Sequence, residues 1–183
     1  MLVAVLLLCA VFLLYRYRHS IKDALRAAMA KEGDMKYFTI SELIYSATAK
    51  AKGIDNTPNL EQTSNLRALC INVLDKVREK YGHPITVSSG FRSPALNAAV
   101  GGVSTSQHLT GCAADLVPAD SSGTVDDIFH AALQVGGYDQ LIIEQNKKGS
   151  RWVHVSYRPN AKQRGQILSY NGGTYVDITN KYV

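Results

Sequence analysis

Apolar residues recur with a helical period in the first half of the chain and with a strand period in the second half. The spacing of apolar residues within 59–81 predicts a long helix packed on a core, and a second amphipathic helix is predicted over 124–135. Short β runs are predicted at 85–89, between these two helices, and at 141–143 and 152–157, after the second. Because helices come first and strands dominate later, we expect an α+β fold with helices packed on an antiparallel sheet. The apolar helical positions are Leu66, Leu69, Cys70, Val73, Leu74 and Val77, then Val125, Ile128, Phe129, Ala132 and Leu133.

Local signals indicate where several of these elements begin and end. Thr39 and Glu42 have capping-box spacing, which predicts that the folded part opens with a helix whose apolar stripe continues to Ala47. Ser93-Pro94 is typical of a helix start, and Gly101-Gly102 would stop that helix. Asn171-Gly172-Gly173 predicts a hairpin between strands at 166–170 and 174–178.

The first 36 residues differ in character from the remainder. Residues 1–14 are unbroken apolar sequence, although about 20 apolar residues are usual for a bilayer span. No positive region precedes this run and no small-residue cleavage motif follows it. We interpret 1–15 as an uncleaved membrane anchor, with a signal peptide or a misassigned start as alternatives, 16–36 as a polar helical tether and 37–183 as the folded domain. Arg16 and Arg18, which follow the apolar run, favour a domain on the cytoplasmic side.

Composition narrows the classes of function. Apolar residues make up 46% of the 183-residue chain, so a sizeable core is feasible and global disorder is not expected. The formal charge of +5 is modest, and without a sustained basic helix or aromatic–basic alternation the chain is not expected to bind nucleic acid. Lipid or cell-wall polymer would suit that charge equally well. Three cysteines, Cys9, Cys70 and Cys112, do not make a disulfide framework.

The segment from 106 to 116 carries the first candidate chemistry. His108 and Asp115 are seven residues apart, with Gly111 between them. A loop that delivers a histidine, turns at glycine and enters a buried strand would place Asp115 beside His108. A buried carboxylate needs a partner, and a cation can serve. A surface histidine and a hydrogen-bonded core aspartate could produce the same spacing by chance.

The strand at 152–157 adds a second histidine. Its alternation places Trp152, His154 and Ser156 on one face, so His154 faces a cleft if the valines enter the core. A hydrogen-bonded strand histidine is the alternative. Two histidines and one carboxylate form the ligand set of catalytic zinc sites that keep a fourth position for water. His83 and His130, in a turn and in mid-helix, are not expected to be ligands.

A further arginine lies in the segment between the first strand and the next helix. Arg92 stands at the strand end, just before the helix cap at Ser93, where its planar fork could bind a carboxylate. An ordinary surface arginine is the alternative.

Together, the segments SGFRSPALNAAVGGVSTSQHLTGCAADL and WVHVSY resemble the zinc D-alanyl-D-alanine carboxypeptidase family, metallopeptidase family fifteen, subfamily A. VanX-type dipeptidases and phage endolysins are relatives of that family. The resemblance spans 38–157 and implies a hedgehog/DD-peptidase-type fold, one Zn²⁺ per chain and hydrolysis of peptide bonds in peptidoglycan stems. It implies His108, Asp115 and His154 as metal ligands, and Arg92 and Ser106 as substrate-binding residues.

The chain departs from the family at the general base. Several branches carry glutamate three residues before the last histidine, where this chain has Arg151. Glu144 is the nearest candidate and Asp139 the fallback. A two-residue turn at 147–148 would pair Glu144 with Arg151, whereas a three-residue loop would shift the register by one. We therefore predict Glu144 as the catalytic base, with a salt bridge to Arg151 or to a lysine as its alternative role.

These features predict a zinc peptidase of the bacterial cell wall, either a D,D-carboxypeptidase or an endolysin-type endopeptidase. Such a protein would be anchored or exported to the cell envelope, act as a monomer on peptidoglycan peptides and be encoded by a bacterium or a phage. The missing glutamate motivates an alternative, a non-catalytic metal-containing module that binds the cell wall. A hedgehog-like signalling domain has no support beyond the shared fold.

Overall fold

The structure, a computed structural model, describes residue 16 and residues 35–182. The expected membrane anchor at 1–15, and all of the expected tether except residues 16, 35 and 36, lie outside the described residues. Among the residues that are described, no helix has both the length and the apolar character needed to cross a membrane.

Two short helices open the folded part. Helix α1 spans Ile40–Ile44, and its expected capping box is confirmed, since Thr39 accepts from the Glu42 backbone amide and Glu42 accepts in return. The apolar stripe does not continue to Ala47 in one helix, as we expected. Tyr45 is extended, and the Ser46 hydroxyl caps a new helix, α2, at Ala47–Lys52. Serine at this position satisfies a free backbone donor, which favours a second helix start.

The long helix expected over 59–81 is confirmed, with one irregularity. It comprises α3 at Leu60–Leu69, a π-helical turn at Cys70–Leu74 and α4 at Asp75–Tyr81. The expected apolar positions are buried throughout, including those in the π turn. At the junction, the buried Asp75 carboxylate accepts from the backbone amides of Lys36 and Tyr37 at 2.8 and 3.0 Å. This contact fixes the start of the domain against the helix.

Six strands form one sheet, and two further helices complete the elements that surround it. The strands are β1 at Ile85–Ser89, β2 at Ala113–Pro118, β3 at Gln140–Gln145, β4 at Arg151–Ser156, β5 at Gln166–Tyr170 and β6 at Tyr175–Asp177. Helix α5 spans Pro94–Ala99 and α6 spans Val125–Val135. The order of the strands in the sheet is β1-β2-β4-β3-β5-β6. Neighbouring strands are antiparallel except β3 and β5, which are parallel, so the expectation of an antiparallel sheet is wrong at that one pairing.

The sheet has one face against the helices and one face that carries polar side chains. Leu116, Leu141, Val153, Val155 and Ile167 share the first face and join α3, α4 and α6 in the hydrophobic core. Alternation along each strand turns the intervening residues to the opposite face. That second face positions the candidate site.

The turn between β3 and β4 sets which residues reach that face. Gln145 lies opposite Arg151 and Glu144 lies opposite Trp152, because the loop takes the three-residue alternative. The Asn146 backbone amide bonds the Ser150 carbonyl at 2.9 Å and closes this loop. Glu144 therefore shares a face with Trp152 and His154, whereas Arg151 points to the helix side.

Candidate metal centre

His108 is delivered by a capped turn. A single 3₁₀ turn at Gln107–Thr110 carries it, and the Ser106 hydroxyl accepts from the His108 backbone amide at 3.4 Å. Gly111 ends the turn with a φ of 72°, and a Cβ there would lie 2.5 Å from the Gln62 carbonyl oxygen. Only glycine combines that conformation with such close packing. The chain can therefore turn directly into β2, which bears Asp115.

Strand pairing brings Asp115 and His154 together. The two residues lie directly opposite each other on β2 and β4, so their side chains share the polar face of the sheet. Both are buried, as is His108. The expectation that Asp115 returns beside His108 is confirmed by the structure, as is the orientation of His154 away from the helix-facing core.

Three potential ligand atoms converge within this group. His108 Nε2 lies 3.2 Å from Asp115 Oδ1 and 3.2 Å from His154 Nδ1, and His154 Nδ1 lies 3.0 Å from Asp115 Oδ1. Among residues 35–182, these three are the one group of histidine, cysteine and acidic side chains arranged closely enough to hold a metal ion.

The surrounding hydrogen bonds orient two of these atoms for a cation. His108 Nδ1 lies 2.6 Å from the Gly90 carbonyl oxygen and donates to it, so in the neutral imidazole Nε2 keeps the lone pair that a metal can bind. Arg92 donates to Asp115 Oδ2 at 2.7 Å and to the Ser89 hydroxyl at 2.8 Å. Because Arg92 binds Oδ2, the other carboxylate oxygen, Oδ1, is left beside the two imidazoles. Such outer contacts are typical of metal ligands.

The two histidines also favour the ionised form of Asp115. Burial alone would raise the pKa of its carboxyl group, but the His108 and His154 imidazoles outweigh burial and hold that pKa below its usual range. Asp115 is therefore ionised at neutral pH. A buried anion with two imidazole nitrogens beside it is a favourable place for a divalent cation.

The donor set and its dimensions fit zinc. Zinc is held at about 2.0–2.2 Å by histidine nitrogen and carboxylate oxygen, usually in tetrahedral geometry, which places neighbouring ligand atoms roughly 3.3 Å apart. The observed separations of 3.0–3.2 Å are close to that value. Three protein ligands also match catalytic rather than structural zinc sites.

Glu144 lies beside this group. Glu144 is two residues from Ile142, which pairs with His154. The Glu144 residue is buried, with 9% of its surface exposed. Within residues 35–182 its carboxyl group forms no hydrogen bond or ion pair. Burial raises its pKa to about 7, with the Asp115 charge adding to that effect and with His154 and Arg92 opposing it.

The alternative partners and bases considered for this site lie elsewhere. Arg151 binds Asp126 through two hydrogen bonds of 2.6 and 2.8 Å, so it does not pair with Glu144. Asp139 is fully buried, and although burial raises the pKa of its carboxyl group, hydrogen bonds from Arg164 and Gln107 lower it to about 2. Because it is held by these partners, Asp139 is unsuited to accept a proton.

Two other histidines in the described part of the chain lie away from the metal-binding group. His83 and His130 line a surface cleft between α4 and α6, on the helix side of the fold. The group that could hold a metal ion includes neither of them.

Three aromatic residues that sequence reasoning did not assign to the site share its face. Trp152 lies opposite Glu144 on one side, Tyr170 lies opposite Glu144 on the other, and Tyr175 lies opposite Tyr170. The hairpin signal at 171–173 could place Tyr170 near Tyr175. No local signal reveals that β5 pairs with β3, which brings the tyrosines beside Glu144.

The comparison with known families agrees with this geometry. The family model described as Peptidase M15 matches residues 36–156, more than half of the chain. The chain belongs to the peptidase M15 family. Peptidases of this family are zinc-dependent hydrolases, and the matched segment contains all three potential ligands and Glu144. A search of curated proteins found no match. The recognised resemblance is therefore confirmed at the level of the M15 family.

Proposed function

We propose that this M15 peptidase uses one zinc ion, held by His108, Asp115 and His154, to hydrolyse peptide bonds in peptidoglycan stem peptides. The observation that carries the proposal is a buried His-Asp-His group with an unpaired buried carboxyl group, Glu144, on the same face of the sheet. The substrate class rests on the resemblance of the SGFRSP–SQHLTGCAAD segments to cell-wall carboxypeptidases and endolysins. A D,D-carboxypeptidase and a cell-wall endopeptidase are both compatible with these residues.

Glu144 would transfer protons in this reaction. Bound zinc lowers the pKa of water to about 7 and polarises a carbonyl group. Glu144 accepts the proton released as water attacks the scissile carbonyl carbon, and returns it to the departing amine nitrogen. Burial, which raises the pKa of this carboxyl group to about 7 in the metal-free protein, makes Glu144 a stronger base than an exposed glutamate.

Arg92 and Ser106 would serve the substrate as well as the site. Arg92 donates from Nε to Ser89 and from one terminal nitrogen to Asp115. Its other terminal nitrogen is available for a substrate carboxylate. The Ser106 hydroxyl accepts from the His108 backbone and can donate its own proton outward. These contacts support a substrate-binding role for both residues in addition to a positioning role.

The cellular setting follows from the proposed substrate. A peptidoglycan hydrolase acts at the bacterial cell envelope, so we propose export or anchoring there through residues 1–15, for a bacterial or phage-encoded protein acting as a monomer. The rival function is a metal-containing module that binds cell wall without cleavage. It is motivated by Arg151, which occupies the position of the family glutamate and binds Asp126 instead.

A comparison of activity with and without metal tests the proposal. Full-length protein, treated with chelator and then reloaded with zinc, is incubated with a purified pentapeptide-bearing muropeptide. We expect cleavage only after zinc is restored, and a loss of at least roughly 100-fold in Glu144→Gln. Glu61→Gln, an exposed acid on α3, is the matched control and should retain activity. Zinc-loaded wild type that binds the muropeptide but leaves it intact would favour the binding module.

A further inference from the structure

Four side chains form a row across the polar face of the sheet, next to the metal-binding residues. Pairing across β4, β3, β5 and β6 runs from Trp152 to Glu144, then to Tyr170 and Tyr175. Residues opposite each other on neighbouring strands project to the same side of a sheet. Glu144 is therefore flanked by aromatic rings, and Tyr175 stands at the far end of the row on the edge strand.

Tyr170 and Tyr175 form a stacked pair. Their ring centroids are 4.5 Å apart and their planes are inclined by 25°. Tyr175 is 53% exposed although its ring is stacked. Tyr170 therefore holds one face of the Tyr175 ring, and about half of the Tyr175 surface stays accessible to a ligand.

The Tyr175 hydroxyl is an uncommitted donor. Within the described range 35–182 it makes no hydrogen bond. Burial, and after it the charges of Glu144, Tyr170 and Asp115, raise its pKa to about 12, so it remains protonated at neutral pH. Strand pairing places Tyr175 on the same face of the sheet as Glu144, two strands away.

We propose that Tyr175 is a substrate-binding residue whose hydroxyl donates a hydrogen bond to a backbone carbonyl of the peptide that lies across the metal centre. This inference rests on the proposed peptidase function and adds a contact from β6, which lies outside the segment matched by the family model. Arg92 follows β1 at one edge of the sheet, and Tyr175 lies on β6 at the other. The two residues would hold an extended peptide from opposite sides.

The chemistry of the site favours a donor at this position. A peptide carbonyl is an acceptor, and an ionised Glu144 offers acceptors alone. Two of the donor nitrogens of Arg92 are engaged by protein groups. Tyr175 supplies a donor on the side of Glu144 away from Arg92, and the stacked ring loses little conformational freedom when it binds.

The test removes the hydroxyl and keeps the ring. Tyr175→Phe is compared with wild type in full-length, zinc-loaded protein acting on a purified pentapeptide-bearing muropeptide. The matched control is Tyr182→Phe. Tyr182 is an exposed tyrosine whose ring packs edge-on against Phe129, with 5.9 Å between the ring centroids. We expect KM to rise roughly three- to tenfold in Tyr175→Phe, the usual effect of one lost hydrogen bond, with kcat within about twofold. The control should match wild type.

Binding is measured separately from turnover. In a Glu144→Gln background, fluorescence of Trp152, the single tryptophan, reports the muropeptide Kd with and without Tyr175→Phe. A Kd that rises in Tyr175→Phe supports the contact, and it does so even if wild type fails to cleave and the proposed activity is wrong. Wild type that cleaves, with KM and Kd unchanged in Tyr175→Phe, overturns the Tyr175 assignment and leaves the peptidase function standing. Absence of both binding and cleavage overturns both proposals.

Discussion

Replacement of Glu144 by glutamine should stabilise the metal-free protein at high pH. Burial raises the pKa of this carboxyl group from 4.5 to about 7. The folded protein therefore holds its proton more tightly than the unfolded chain does. Between those two pKa values the unfolded chain ionises first, so stability falls as pH rises and the loss is complete above the folded pKa. Glutamine does not ionise and escapes this loss.

The size of the effect follows from the shift. A pKa difference of roughly 2.5 units, at about 1.4 kcal/mol per unit, corresponds to about 3 kcal/mol at pH 8. At pH 4 both forms are neutral, so the substitution should change stability by less than about 0.5 kcal/mol. Metal-free protein is required because a bound cation would favour the ionised carboxylate.

Urea denaturation followed by Trp152 fluorescence measures this difference. Wild type and Glu144→Gln are compared at pH 4, 6 and 8 after chelator treatment, and the advantage of the variant should grow across that range. Glu61→Gln, at an exposed position on α3, controls for the loss of a negative charge and should stay within about 0.5 kcal/mol of wild type. A Glu144→Gln difference that is equal at pH 4 and pH 8 would refute the reasoning.

Three further substitutions test the surroundings of the metal-binding group. Arg92→Lys keeps the charge but loses the directed hydrogen bonds to Asp115 and Ser89, so the zinc affinity measured by chelator competition should fall about tenfold. An unchanged zinc affinity would argue against a role of Arg92 in positioning Asp115. Asp139→Asn removes the buried negative charge that pairs with the half-exposed Arg164. The free energy of unfolding, measured by urea denaturation, should fall by about 2–3 kcal/mol, and a fall of less than about 0.5 kcal/mol would contradict a stabilising role for this ion pair. Arg151→Ala breaks an exposed ion pair, so stability should fall by less than about 1 kcal/mol and muropeptide turnover should stay within twofold; lost turnover would place Arg151 at the site.

Local sequence signals predicted much of the fold. Thr39 with Glu42, Ser93 with Pro94, and the 171–173 turn each act within a few residues of the backbone they define. The positions of these elements therefore follow from capping and turn chemistry alone. The break at Tyr45 was missed because the apolar stripe continues to Ala47, whereas Ser46 favours a new cap.

Contacts between distant strands could not be predicted in the same way. Nothing local to 166–170 shows that β5 pairs in parallel with β3, and that pairing is what brings Tyr170 beside Glu144. The metal-binding group was predictable because Gly111 makes the His108–Asp115 turn local, and because alternation sets the face of His154. The fork of Arg92 was expected to bind a carboxylate, but the one it binds in this structure belongs to Asp115.

The central claim is that His108, Asp115 and His154 hold a zinc ion on which peptide cleavage depends. It is tested most directly by measuring metal content and, on the same sample, identifying by mass spectrometry the bond cut in a defined muropeptide. We predict one zinc per wild-type chain and a single amide bond cleaved. His154→Ala should lose both metal and cleavage while keeping its fold, since this side chain faces away from the helix-facing core. Cleavage by metal-free His154→Ala, or zinc-loaded wild type that cuts no amide bond, would contradict the claim.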